Sequence, residues 1–113
     1  MKGILSAMLI ATFANASAQT RTAEERLFDA IDAGKPLVAE GIVVNGGVKL
    51  DARNAGRETP LHVAIEKGYR ELAELLVKAR APLTARTLNG ETPLHFAALH
   101  SDSFFVDLLL MAR

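Results

Sequence analysis

One tetrapeptide constrains the fold of this chain more than any other feature. Thr-Pro-Leu-His occurs at residues 59–62 and again at residues 92–95, 33 residues later, and the residues around both copies are similar. A repeat at a fixed spacing of this length is typical of solenoid proteins, in which small units stack and each contacts only its neighbours. The spacing therefore predicts stacked units whose apolar faces are buried by the adjacent units.

The residues that begin and end each unit predict a pair of helices. Thr59 stands where a helix N-cap belongs, and Pro60 occupies the first helical position, where its missing N–H costs nothing. Gly68 permits the left-handed residue that ends this first helix. A second helix is predicted at about residues 69–79. Its apolar face consists of four residues at helical spacing, Leu72, Leu75, Leu76 and Ala79.

A 33-residue unit built on Thr-Pro-Leu-His resembles the ankyrin repeat, and the resemblance covers roughly residues 24–113. It implies an all-α helical solenoid of paired antiparallel helices joined by β-hairpin-like fingers. The predicted repeats lie at residues 24–53, 54–86 and 87–113. The first lacks Thr-Pro-Leu-His and is interpreted as a degenerate N-terminal cap repeat, because a terminal repeat exposes one face to water. The last is truncated at its second helix.

Two segments depart from the repeat pattern. Residues 39–47 should hold the second helix of the first repeat, but Gly41 and the β-branched residues beside it are poor helix formers. We expect a short helix or an extended segment there. The last helix carries four apolar residues that need cover, Phe105, Leu108, Leu109 and Leu110. Three explanations stay open: a further repeat follows residue 113, another molecule covers this end, or the last repeat is loosely held.

The first 18 residues have the layout of a secretory signal peptide. Lys2 supplies a positive charge, residues 4–14 form an apolar run too short to span a bilayer, and Ala16, Ser17 and Ala18 form a small-residue cleavage site. Cleavage is predicted after Ala18, with a second site after Ala16, and leaves residues 19–113 as one domain. The layout favours a periplasmic protein. Secretion is the alternative location, and a disordered or helical N-terminus that stays attached is the less favoured alternative to a signal peptide.

Composition argues against several classes of partner and chemistry. The chain has 13 basic and 13 acidic residues and no block of like charges, so we expect neither nucleic acid nor an anionic membrane as a partner. Cysteine is absent, which excludes disulfides, thiolate nucleophiles, thiolate zinc sites and a lipidated cysteine as membrane anchor. The sequence has no phosphate-binding loop. We expect no cofactor and no small-molecule substrate.

The histidines are the only residues that favour an enzyme. His62 and Glu66 have the i, i+4 spacing of a helical metal pair, but no third ligand accompanies them. His95 and His100 are five residues apart and lie on different sides of a helix, so they cannot share a metal ion. The resemblance implies that His62 and His95 are structural side chains that hydrogen-bond the connecting turns. No catalytic or metal-binding residue is therefore predicted.

The resemblance places a contact surface on the fingers and at the ends of the first helices. At the first finger the implied contact residues are Arg53, Asn54, Ala55 and Glu58. At the second finger they are Arg86, Thr87, Leu88 and Glu91. The concave face is completed by Glu66, Lys67, Leu99 and His100. Leu88 is an apolar residue at a projecting tip, which also favours an interface. So do the arginines near equivalent tips, Arg53, Arg57 and Arg86.

Together these features predict a non-catalytic protein–protein interaction module of the cell envelope, which binds and stabilises or regulates a periplasmic protein. Two alternatives stay open. A secreted effector that binds host proteins would share every residue-level feature. A small metal-dependent hydrolase built on His62 and Glu66 is the enzyme alternative.

Overall fold

The computed structural model describes residues 22–100 and 102–112, and every regular element among them is an α-helix. In chain order these helices are α1 Ala23–Asp32, α2 Pro36–Asn45, α3 Pro60–Lys67, α4 Arg70–Lys78, α5 Pro93–Leu99 and α6 Phe104–Ala112. The signal peptide predicted at residues 1–18 lies outside the described residues. None of the described helices is both long and apolar enough to cross a membrane.

The helices form three pairs that stack in two layers. The first helices of the pairs, α1, α3 and α5, pack side by side in one layer, and the second helices, α2, α4 and α6, form the other. Each first helix also packs against the second helix that follows it. This arrangement confirms the all-α stack of helix pairs that the 33-residue spacing predicts.

The Thr-Pro-Leu-His motif starts α3 and α5 in the same way. The hydroxyl of Thr59 accepts a hydrogen bond from the backbone N–H of His62 (3.4 Å), and Nδ1 of His62 accepts one from the backbone N–H of Thr59 (3.1 Å). Thr92 and His95 repeat both bonds at 3.4 and 3.0 Å. Pro60 occupies the first helical position of α3. The predicted helix starts are therefore confirmed, with histidine completing each capping box.

The turn between α3 and α4 requires glycine at position 68 for two reasons. Gly68 has φ 77°, in the left-handed region that disfavours a side chain. A Cβ atom at this position would lie 3.3 Å from Nε2 of His100, which packs against the turn from the next repeat. Gly68 thus ends α3 as predicted and also allows the neighbouring repeat to approach.

The core is an apolar seam between the two layers. Its largest side chains with no exposed surface are Leu27, Ile31, Leu61, Ile65, Leu72, Leu76 and Phe105. One part of the predicted face of α4 is wrong, because Ala79 is exposed and Ala73 is buried. Ala79 is the C-cap of α4, at the exposed end of the helix, where Lys78 and Arg80 are exposed as well.

The expectation of a short or extended second helix in the first repeat is wrong. Helix α2 spans ten residues and includes Gly41. Pro36 stands at its first position, and Ala39 and Val43 are buried in the core. Glycine within a helix costs about 1 kcal/mol relative to alanine, whereas burial of apolar side chains supplies most of the stability of a short helix. Tertiary packing therefore outweighs the local preference.

Helix α6 covers only part of its apolar face. Phe105 and Leu109 are buried, and Leu108 is half-buried. Leu110 is 47% exposed and Met111 is 85% exposed. Of the four residues predicted to need cover, two therefore obtain it within the repeat stack.

Candidate functional site

Two loops precede α3 and α5, and we call them the first finger (residues 53–58) and the second finger (residues 86–91). In the first finger, the backbone N–H of Asn54 donates to the carbonyl of Glu58 (3.0 Å), and that of Arg57 donates to the carbonyl of Asn54 (2.9 Å). In the second finger, the N–H of Thr87 donates to the carbonyl of Glu91 (2.9 Å). These bonds give both loops a hairpin-like form, although neither loop contains a β-strand.

The two fingers are also bonded to each other. The backbone N–H of Leu88 donates to the carbonyl of Gly56 (3.1 Å). Arg53 spans both loops, since its Nη1 donates to the carbonyls of Arg57 (3.0 Å) and Arg86 (2.6 Å). The predicted contact residue Arg53 is therefore exposed and at the same time holds the fingers in register.

Three other predicted contact residues shape the fingers from within. The carboxamide oxygen of Asn54 accepts hydrogen bonds from two backbone N–H groups of the first finger, at 3.0 and 2.9 Å. The hydroxyl of Thr87 likewise accepts hydrogen bonds from two backbone N–H groups of the second finger, at 3.2 and 3.3 Å. Nη1 of Arg86 donates to the carbonyl of Gly90 (2.8 Å). Thr87 is only 8% exposed. Because its side chain forms the turn and is buried, Thr87 does not belong to the exposed surface.

His62 is a buried structural side chain that joins α3 to the second finger. Its Nδ1 faces the backbone N–H of Thr59, so the ring proton lies on Nε2, which donates to the carbonyl of Glu91 (3.0 Å). Burial lowers the pKa of the His62 imidazole, although the bond to Glu91 opposes that effect. Both ring nitrogens are engaged, which leaves neither free to hold a metal ion together with Glu66.

The described residues also contain no group of three or more His, Asp or Glu side chains that could hold a metal ion. His100 lies at the end of α5, half-buried, with its ring 5.0 Å from that of Phe105. Its buried Nδ1 has no hydrogen-bond partner among the described residues. The His100 ring thus packs edge-on against Phe105, while the backbone N–H of His100 donates to the carbonyl of Ala97 (3.1 Å).

Four of the predicted contact residues line one pocket. Glu66 comes from the end of α3, Glu91 from the second finger, and Leu99 and His100 from the end of α5. The fifth lining residue is Phe96 of α5. The pocket has a volume of about 270 Å³. The structure thus brings together residues that lie up to 34 positions apart in the sequence.

Phe96 is the lining residue that the sequence analysis missed. It lies 33 residues after Val63, which is 2% exposed, whereas Phe96 is half-buried. The Phe96 ring meets the ring of His62 at 4.9 Å in a T-shaped arrangement. An aromatic residue in place of a buried valine at the equivalent repeat position is the signal that could have indicated it.

Carboxylates dominate the charge around the pocket. Partial burial raises the pKa of the Glu66 carboxyl, and the nearby carboxylates of Glu58 and Asp32 raise it further, against the opposing charge of Lys67. Within the described part of the chain, neither the Glu66 nor the Glu91 carboxylate forms an ion pair with a lysine or arginine. The pocket therefore holds two carboxylates that have no ion-pair partner among the described residues.

Of the remaining predicted contact residues, Glu58 is half-buried and accepts a hydrogen bond from Nδ2 of Asn54 (3.0 Å), and the others are available at the surface. Leu99 is 80% exposed and Leu88 is 67% exposed, while Ala55 and Lys67 are also exposed. The role of these residues in contact stays a prediction. What the geometry offers is a rigid face with exposed leucines and an acidic, partly apolar pocket, which suits recognition of another macromolecule.

Comparison with known proteins identifies one family. The family model for ankyrin repeats (3 copies) matches residues 27–113, which is most of the chain and includes the degenerate first repeat. No curated protein matches the sequence.

Proposed function

The chain belongs to the ankyrin-repeat family, whose members are generally protein–protein interaction modules, and from this premise we propose that it binds a protein partner in the cell envelope without catalysing a reaction. The observation that carries the proposal is the combination of the repeat stack with two exposed leucines, Leu88 on the second finger and Leu99 at the pocket. Solenoid repeats use such extended faces for binding.

The envelope location rests on the sequence of the leader. Residues 1–18 carry the layout of a secretory signal peptide, and the absence of cysteine from the sequence excludes a lipidated cysteine as an anchor. We therefore place the mature chain in the periplasm, where its task would be to stabilise or regulate an envelope protein.

Binding alone is sufficient for such a task. A module that binds only the folded state of its partner stabilises that state by RT ln(1 + [L]/Kd), which is about 2.7 kcal/mol at a hundredfold excess over Kd. The partner's melting temperature would then rise with the concentration of this chain. This coupling requires no active site.

The proposal is tested by crosslinking in intact cells that express the full chain with a C-terminal tag. Leu99→Ala is compared with Leu37→Ala, because Leu99 and Leu37 are equally exposed (80% and 79%) but Leu37 lies on α2, in the other helix layer. An interface leucine that contributes more than about 1 kcal/mol reduces affinity more than about fivefold. We expect that loss for Leu99→Ala and for Leu88→Ala, and none for Leu37→Ala.

Equal capture of the partner by all three variants would refute the proposed surface. Surface substitutions of this kind usually change stability by less than about 0.5 kcal/mol, so that urea unfolding of the three variants serves as a control for folding.

The location is tested separately by recovering the chain from the osmotic-shock fraction and from the culture medium. Mass spectrometry of the N-terminus should show a chain that begins at residue 19 in the osmotic-shock fraction. Recovery in the medium alone would favour a secreted effector instead.

A further inference from the structure

The size of the pocket between α3, α5 and the second finger limits what can occupy it. Its volume of about 270 Å³ is just below the range of about 300–1,000 Å³ that is usual for small-molecule sites. The space can accept one long side chain of a protein partner.

The walls of the pocket combine an aromatic ring, an exposed aliphatic side chain, two carboxylates and the imidazole of His100. Phe96 presents a half-buried ring, which attracts a cation placed over its face. Leu99, 80% exposed, provides a surface for a methylene stem. Glu66 and Glu91 lie at the same pocket and form no ion pair within the described residues. An occupant of complementary chemistry has a long apolar stem and a cationic head.

We propose that this pocket receives an arginine side chain of the bound protein, with its guanidinium group beside Glu66 and Glu91 and over Phe96. The inference rests on the proposed function, since it identifies the chemistry of the partner at the same face. Arginine fits better than lysine because a planar guanidinium can stack on an aromatic ring while its fork of N–H donors binds a carboxylate.

The electrostatics of the free protein support this assignment. The pKa of the Glu66 carboxyl is raised by partial burial and by the nearby carboxylates of Glu58 and Asp32, so like-charge repulsion acts on its ionised form. A guanidinium group beside Glu66 would relieve this repulsion and lower the pKa again.

The test is an NMR titration of the 15N-labelled protein, produced from the full chain and purified as the cell leaves it. The probes are blocked tripeptides with alanine on either side of arginine, lysine or citrulline, which is a neutral isostere of arginine. We expect saturable shifts at Phe96 and Leu99 with the arginine peptide, at least threefold weaker binding of the lysine peptide, and no binding of the citrulline peptide.

Substitution of the carboxylates identifies the site. Glu66→Gln and Glu91→Gln should each weaken binding of the arginine peptide about threefold, and the double substitution about tenfold, as expected for partly exposed ion pairs. The matched control is Glu71→Gln, on the exposed face of α4, which should leave binding unchanged.

Three results would overturn the arginine pocket: equal binding of the citrulline or lysine peptide, equal binding by the double variant, or no shifts with any peptide at the highest soluble concentration. The outcome is separable from that of the proposed function. Partner capture that depends on Leu88 but not on the two carboxylates refutes only the pocket. Binding of the arginine peptide without capture of any envelope partner refutes only the proposed function.

Discussion

The two histidines of the repeated motif allow a comparison, within one protein, of how much a buried and an exposed histidine contribute to stability. His62 and His95 make the same capping box with Thr59 and Thr92. Only His62 is fully buried, and its Nε2 donates to the carbonyl of Glu91 in the next repeat. We therefore compare His62→Ala with His95→Ala, which remove the same local contact but differ in the contact between repeats.

The expected losses follow from the bonds that each substitution removes. His62→Ala removes the bond to the carbonyl of Glu91, which contributes about 1 kcal/mol, and leaves the buried backbone N–H of Thr59 without its acceptor, at a cost of about 1–3 kcal/mol. We expect a total loss of about 3 kcal/mol. His95 is exposed, so water can replace its ring, and His95→Ala should cost less than about 1 kcal/mol.

Urea unfolding measures the difference. With an m-value of about 1.5 kcal/mol per M, a loss of about 3 kcal/mol lowers the midpoint by about 2 M, and His95→Ala lowers it by well under 1 M. The m-value should stay unchanged in both variants. If the two midpoints fall equally, the bond from His62 to the second finger contributes nothing to stability and does not couple the two repeats.

Three further predictions concern acid stability, the glycines and the fingers. Burial lowers the pKa of His62 below 6.5, so the unfolded chain takes up a proton at a higher pH than the folded chain does. The free energy of unfolding should therefore fall as the pH drops below about 6.5, by at most about 1.4 kcal/mol per pH unit. Urea midpoints at several pH values check this, and their pH dependence should flatten in His62→Gln. Gly68→Ala should destabilise by about 1–2 kcal/mol in thermal melts, because φ is positive and the Cβ atom would lie only 3.3 Å from Nε2 of His100. Gly41→Ala, in open helical space, should instead stabilise by about 0.5–1 kcal/mol. Arg53→Ala should cost about 1 kcal/mol and increase amide hydrogen exchange in both fingers, since its guanidinium bonds the carbonyls of both; unchanged exchange would contradict this role.

Local structure could be predicted from the sequence wherever the deciding contact lies within a few residues. Thr59 and His62 satisfy each other's backbone N–H groups three positions apart, and Gly68 ends the helix through its own φ. Helix starts, helix ends and the stack of pairs were therefore accessible from the motif and its spacing.

The contact surface was predictable only in part. The resemblance selected Glu66, Glu91, Leu99 and His100, which the structure assembles into one pocket, but it did not indicate Phe96. Whether a repeat position is buried depends on which repeat lies beside it, and the equivalent positions 63 and 96 differ for that reason.

By itself, the sequence determined the repeat period, the family, the caps of the helices and the balance of charge. The tertiary structure decided that α2 is a full helix despite Gly41, that Thr87 is buried in a turn, and that Arg53 bonds a carbonyl 33 residues away. The physical reason is the separation along the sequence of the residues that interact. Helix caps and left-handed glycines act within one helical turn, whereas burial and the bonds between fingers exist only after neighbouring repeats have stacked.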